Sequence, residues 1–176
     1  MKKLTEQESK WYALYTRARA EKKLYTLLTQ KKVDCFLPLK NTLVQRSDRK
    51  KWVQLPLLPS YLFVKVSEQE RYTVLNTPGA VRYVSFEGKA VSIPEKQLIA
   101  LQQMIQNNGE NVEADYGKFD KGDIVEVREG PLRGIQGEVV QIRGKQRLLL
   151  RFDSLGYVVH VEASMVELQS VMYIAV

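Results

Sequence analysis

Lys121-Gly122-Asp123-Ile124-Val125-Glu126-Val127-Arg128-Glu129-Gly130-Pro131-Leu132-Arg133-Gly134-Ile135-Gln136-Gly137-Glu138-Val139 reads as a strand, a tight turn and a second strand. Asp123 to Arg128 alternates in the manner of a half-buried strand, and Glu129-Gly130-Pro131 turns it back. Gly130 and Gly134 allow backbone angles closed to other residues, and Gly137 permits close packing before the next strand. Val139 to Arg143, Arg147 to Phe152 and Tyr157 to Val161 complete about five short strands, with Gly144 between two of them. The expectation is a small all-β barrel over residues 119–168. A helical hairpin in the same residues is disfavoured, because Gly130, Gly134, Gly137, Gly144 and Gly156 each cost about 1 kcal/mol in a helix interior and Pro131 about 3.

Upstream the texture changes. Residues 109–118, like Asn107-Asn108 before them, hold acids and almost no large apolar side chains, which predicts a linker. Before it, strands and helices mix. Lys10 to Thr16 reads as a strand, with Trp11, Ala13 and Tyr15 on one side and Tyr12 and Leu14 on the other. Ala20, Leu24, Leu27 and Leu28 form the apolar stripe of a following helix. Val33 to Leu39 is strand-like. Asn41 to Leu55 predicts a hairpin with a basic tip, Arg46-Ser47-Asp48-Arg49-Lys50-Lys51. Leu57 to Val64 predicts a central strand entered through Pro59. Ser67 and Glu70 have the spacing of a capping box opening a helix through Leu75, and Thr77-Pro78-Gly79 stops it. Two more short strands, Val81 to Phe86 and Ala90 to Ile93, precede a helix that Pro94 opens and Leu98, Leu101 and Ile105 stripe. Residues 1–108 therefore predict an α+β domain, an antiparallel-rich sheet with packed helices. Residues 169–176 form an apolar tail without an assigned element.

Charge divides the 176 residues in the same place. Residues 1–108 net +10 and residues 109–176 net −3, giving the chain its +7. Two modules with different partners are expected, and a polyanion suits only the first. No apolar run reaches the ~20 residues of a membrane helix, and the start is polar, so a cytoplasmic protein is expected. The single cysteine, Cys35, has no intrachain disulfide partner.

Catalysis is not expected. The sole histidine, His160, falls in a different expected domain from Cys35, and one Cys with one His makes no metal-ligand cluster. No phosphate-binding glycine loop is present and the carboxylates are scattered, so neither enzyme activity nor a cofactor is anticipated. Arg17, Arg19, Lys22 and Lys23 cluster where the first strand meets its helix, beside Tyr12 and Tyr15. Cation and aromatic ring together suit phosphate contact or base stacking, while a merely solvated helix face would look the same.

The segment Lys121 to Val139 resembles a KOW motif. Trp11-Tyr12, Glu21, Leu58-Pro59-Ser60-Tyr61-Leu62-Phe63-Val64 and Gly79-Ala80-Val81-Arg82-Tyr83-Val84 resemble the N-terminal domain of the NusG-like transcription factors, in the same order. Ser60 departs from the glycine common in housekeeping members. With Asp34-Cys35-Phe36-Leu37-Pro38, it looks more like specialised paralogues, including those serving polysaccharide operons. The resemblance implies an elongation or antitermination factor whose first domain binds RNA polymerase at the clamp region of its largest subunits, suppressing pausing or termination.

By position, Tyr15, Leu58, Tyr61 and Phe63 are implied on that docking face, or else they are core residues of a strand. For Phe63 the two are equally weighted, and for Leu58 the interface is favoured. Arg17, Arg19, Lys22 and Lys23 are implied near non-template DNA. The KOW domain is implied to recruit a small-subunit ribosomal protein or Rho, with Leu132 and Leu155 as contacts unless they only close the barrel ends. A ribosome-associated, RNA-binding KOW protein is the alternative, and the −3 charge of the second half weighs against it.

Overall fold

The computed structural model describes residues 8–45, 48–117, 122–130, 132–142, 144–163 and 171–173. Lys121, Pro131, Arg143, most of the apolar tail, and Arg46 and Ser47 of the hairpin tip lie outside them. The elements run β1 (Lys10–Thr16), α1 (Glu21–Gln30), β2 (Asp34–Phe36), β3 (Leu39–Gln45), β4 (Lys50–Pro56) and β5 (Tyr61–Val66). Then follow α2 (Arg71–Leu75), β6 (Ala80–Tyr83), β7 (Ser85–Phe86), β8 (Lys89–Ala90), β9 (Ser92–Ile93) and α3 (Glu95–Asn108). The remainder is all strand: β10 (Glu113–Tyr116), β11 (Asp123–Val127), β12 (Gln136–Ile142), β13 (Lys145–Phe152), β14 (Tyr157–Glu162) and β15 (Val171–Tyr173). The chain divides into two compact units, Met1–Leu37 with Leu58–Glu95, and Pro38–Leu57 with Lys96–Val176.

In the first unit the sheet order is β2-β5-β1-β6, with β9 also paired to β1. Alternation fixes its two faces. Tyr12, Leu14, Leu62, Val64 and Val66 share one face and are buried, as are Leu24 and Leu28 of α1 and Val74 of α2. Cys35 lies on that face against Thr29 of α1, and the Arg71 guanidinium of α2 sits 4.3 Å above the Tyr12 ring. Burial pushes the Cys35 thiol up, which disfavours the reactive thiolate. Ser67 and Glu70 do bond, but the Glu70 carboxylate accepts both the Ser67 N–H and hydroxyl at 2.8 Å within a turn. The helix itself starts later, at Arg71. Those two donors hold the Glu70 carboxyl below its usual range.

The expected strand from Leu57 begins only at Tyr61, because Leu58-Pro59-Ser60-Tyr61 is a turn closed by the Tyr61 N–H to Leu58 carbonyl bond, 3.3 Å. Pro59 fixes the first corner and Ser60 takes the second at φ 64°, the geometry of a type II turn. That corner favours glycine, which explains why Ser60 departs from the family pattern at a physical cost. The buried Glu21 carboxylate accepts the Ser60 N–H at 2.8 Å, while the Ser60 carbonyl accepts the Thr16 N–H at 2.9 Å. Ser60→Gly is therefore expected to stabilise the chain by about 0.5–1 kcal/mol, the relief of a left-handed side chain less glycine's extra entropy. A urea midpoint that falls instead of rising would contradict this account of the turn.

The second unit carries a six-stranded antiparallel sheet in the order β10-β14-β13-β12-β11-β15. From Glu113 onward the described residues expected to be strands are strands, save Arg128, and the helix there is one short 3-10 turn, Asp153–Leu155. Gly130 and Gly134 both sit at φ 83°. Gly137 is needed for space, since a Cβ there would lie 2.7 Å from the Leu149 carbonyl oxygen of the neighbouring strand. Residues 109–118, expected as a linker, are instead structured in part: Glu113–Tyr116 is β10, paired residue for residue with Tyr157–His160. Backbone pairing, invisible in its polar composition, overrides the linker texture. Val171–Tyr173 of the tail likewise joins the sheet, against β11.

Candidate functional site

The opposite face of the first sheet carries Trp11, Ala13 and Tyr15 of β1 beside Lys65, Phe63 and Tyr61 of β5. Most of its centre is closed, with Ala13 and Phe63 at 0% exposure and Ile93 at 5%. Phe63 stacks on Phe36 with ring centroids 6.1 Å apart. Tyr15 and Tyr61 behave differently. They are direct cross-strand partners, half-buried, with rings edge to face at 5.5 Å. Arg82 of β6 pairs with Tyr15 on its other side, and its guanidinium carbon stands 5.6 Å from the Tyr15 ring centroid. Two amphipathic rings and an exposed cation thus lie together at one end of a sheet face.

Of the four expected docking residues, then, the structure brings Tyr15 and Tyr61 together and removes two. Leu58 has no exposed surface because it occupies the first position of the type II turn with its side chain folded inward, and Phe63 is core. Arg82 was not anticipated. Its signal was present in the alternation of Arg82 with buried Tyr83, which places the cation on the tyrosine-bearing face.

The basic group is surface. Arg17, Arg19, Lys22 and Lys23 are all exposed around the β1–α1 turn. The turn is held by the Arg17 N–H to Gly79 carbonyl bond, 2.9 Å, and by the Ala20 N–H to Arg17 carbonyl bond, 3.0 Å. Arg19 takes φ 62°, a left-handed corner that lifts its side chain out of the helix path.

In the second unit, Leu132 and Leu155 are 1% and 4% exposed. They stand at turns with their side chains buried. Large apolar side chains that are exposed there include Tyr116 and Ile124. The buried polar chemistry of this unit centres on His160. Its Nδ1 lies 2.9 Å from Arg147 Nη1, and its Nε2 lies 3.1 Å from Asp115 Oδ2. A guanidinium only donates, so Nδ1 accepts and Nε2–H donates to Asp115. Arg147 also donates to Glu113 at 2.9 Å. Among the described residues no group of three or more His, Cys, Asp or Glu side chains is placed to hold a metal ion. A second, half-buried pair, Arg151 with Glu138, is bidentate at 2.8 and 2.9 Å and holds the guanidinium's proton more tightly than usual.

Residues 9–102, more than half of the chain, match the family model described as transcription termination factor NusG. The chain belongs to the NusG family. Relatives include the transcription termination/antitermination proteins NusG of Streptococcus pyogenes serotypes M3 and M1, each 24% identical over 86% of this chain and 92% of theirs. A solved structure concerned with domain interaction in Thermotoga maritima NusG covers 96% of this chain and 98% of its own, with a TM-score of 0.51 and 18% identity. That likeness extends the NusG fold to both halves. The chain is accordingly a NusG-like transcription termination/antitermination factor of a non-enzymatic family, and the family implies interaction with RNA polymerase. No helix among the described residues is long and apolar enough to cross a membrane.

Proposed function

We propose that this NusG-like chain binds the clamp region of RNA polymerase through the Tyr15, Tyr61 and Arg82 end of its first sheet, suppressing pausing or termination. The observation that carries the reading is the half-exposed Tyr15–Tyr61 pair beside exposed Arg82, at one end of a face whose centre, Ala13 and Phe63, is buried. Rings of this kind give large contact area at little entropic cost, and Arg82 beside them suits an acidic helical partner. Tyr15→Ala with Tyr61→Ala should lower polymerase affinity on the order of 100-fold, as loss of central aromatic anchors does. In single-round transcription the double variant should leave pause lifetimes as they are without any factor. Full pause suppression by a folded double variant would remove this face from the account.

The exposed Arg17, Arg19, Lys22 and Lys23 are proposed to meet non-template DNA. Arg17→Ala with Lys23→Ala should weaken contact with the transcription bubble more than contact with isolated clamp helices. The salt slope of DNA binding should flatten by about one per lost phosphate contact. Equal losses in both assays would assign these residues to the protein interface. The second unit is proposed to recruit a further factor, a small-subunit ribosomal protein or Rho, through surface other than Leu132 and Leu155. Ser60 at a corner that favours glycine supports the reading of a specialised rather than housekeeping member.

A further inference from the structure

The β3–β4 ribbon presents a face that the polymerase reading does not use. Its register pairs Gln45 with Lys50, Leu43 with Trp52 and Asn41 with Gln54, so all six side chains project from one side. Every one of them is exposed, Trp52 by 54% and Leu43 by 44%. The other side differs. Lys40, Thr42 and Leu55 line a cleft of about 270 Å³ with Glu113, Ala114 and Asp115, and Lys40 Nζ donates to the Val112 carbonyl at 2.9 Å. On this side Lys40, Thr42, Val44 and Val53 are half-buried while Lys51 and Leu55 stay exposed, so the first side is the more fully solvent-facing of the two. Residues 38–57 contain five basic side chains, Lys40, Arg46, Arg49, Lys50 and Lys51, against the single acid Asp48.

A solvent-facing stripe of cation, indole and amides is costly to leave without purpose, because Trp52 keeps apolar surface in water. We infer that this face of the ribbon enters the major groove of duplex DNA. A two-stranded ribbon is one of the few elements that fit that groove, and seven residue pairs span about 20 Å along it. Charge selects the polyanion: Arg49, Lys50 and Lys51 at the outer end reach phosphates. Asn41 offers the paired donor and acceptor that match an adenine edge, and Trp52 with Leu43 supplies apolar contact for thymine methyl groups. A single strand is less suited, since one indole stacks one base and the ribbon offers no second ring on this face. The site is separate from the basic turn after β1.

The test uses the full-length chain and a fluorescein-labelled duplex two helical turns long, with anisotropy read from about 50 to about 200 mM salt. Trp52→Ala with Lys50→Ala should weaken duplex binding about tenfold, and the Lys50 change should reduce the salt slope by about one. Trp52→Phe should restore part of the loss, and binding to isolated clamp helices should be unchanged in every ribbon variant. Circular dichroism matching the wild type is expected because these side chains are exposed. Wild-type affinity in Trp52→Ala/Lys50→Ala would overturn the inference. So would tighter binding of the corresponding single strand than of the duplex, or a loss of clamp-helix binding in step with DNA binding, which would make the ribbon a protein contact.

Discussion

Leu58→Asp is expected to leave the chain unfolded rather than folded and unable to bind. Leu58 has no solvent exposure and its carbonyl closes the turn that launches β5. Removing the apolar side chain alone costs about 2–5 kcal/mol, and a buried carboxylate without a partner adds several more. Whole domains hold only about 5–15 kcal/mol in reserve. Circular dichroism and urea titration should therefore show loss of the cooperative transition, or a midpoint near zero denaturant. A variant with a wild-type midpoint would restore Leu58 to the surface and to the docking face.

Arg147→Ala is the second substitution expected to act strongly, through the buried cluster of the other unit. Arg147 is 8% exposed and His160 1%, and the guanidinium links His160 of β14 to Glu113 of β10. Deleting it leaves the buried His160 acceptor nitrogen and the part-exposed Glu113 carboxylate without their common donor, at about 1–3 kcal/mol because water can still reach Glu113. Replacing both members at once is a different matter. Arg147→Met with His160→Phe should recover a large part of the loss, since well-packed apolar side chains need no partners. The double-mutant cycle should then give a coupling energy of about 1–3 kcal/mol. Strict additivity of the two single changes would show that the residues do not act as a unit.

Much of this architecture was legible because local rules and tertiary packing agree. Lys10–Thr16 forms β1, the Leu24 and Leu28 stripe is buried as α1 requires, and Gly130, Gly134 and Gly137 stand where the turn and the close strand demand them. Linker and site were harder. Glu113 to Tyr116 is polar because β10 is an edge strand, and its pairing with β14 depends on residues about 45 positions away. Leu58 and Phe63 look like Tyr15 and Tyr61 in a hydropathy pattern. Only the turn at Pro59–Ser60 and the stacking on Phe36 decide which side chains are swallowed. The His160 cluster depends on strand register, which one sequence does not display. Arg147 and His160 were visible only as isolated polar residues in apolar strands.

The sheet face can be tested in place. A photo-crosslinking phenylalanine analogue at position 61 would be compared with the same analogue at position 72, in elongation complexes assembled with the full-length chain. Tyr61 lies on the proposed docking face, whereas Tyr72 is 74% exposed on α2, the helix that covers the other face. Crosslinks from position 61 to the clamp region of the largest polymerase subunits, with none from position 72, are the predicted result. Clamp crosslinks from position 72 and none from position 61 would show that the polymerase meets the helical side, and would contradict the account.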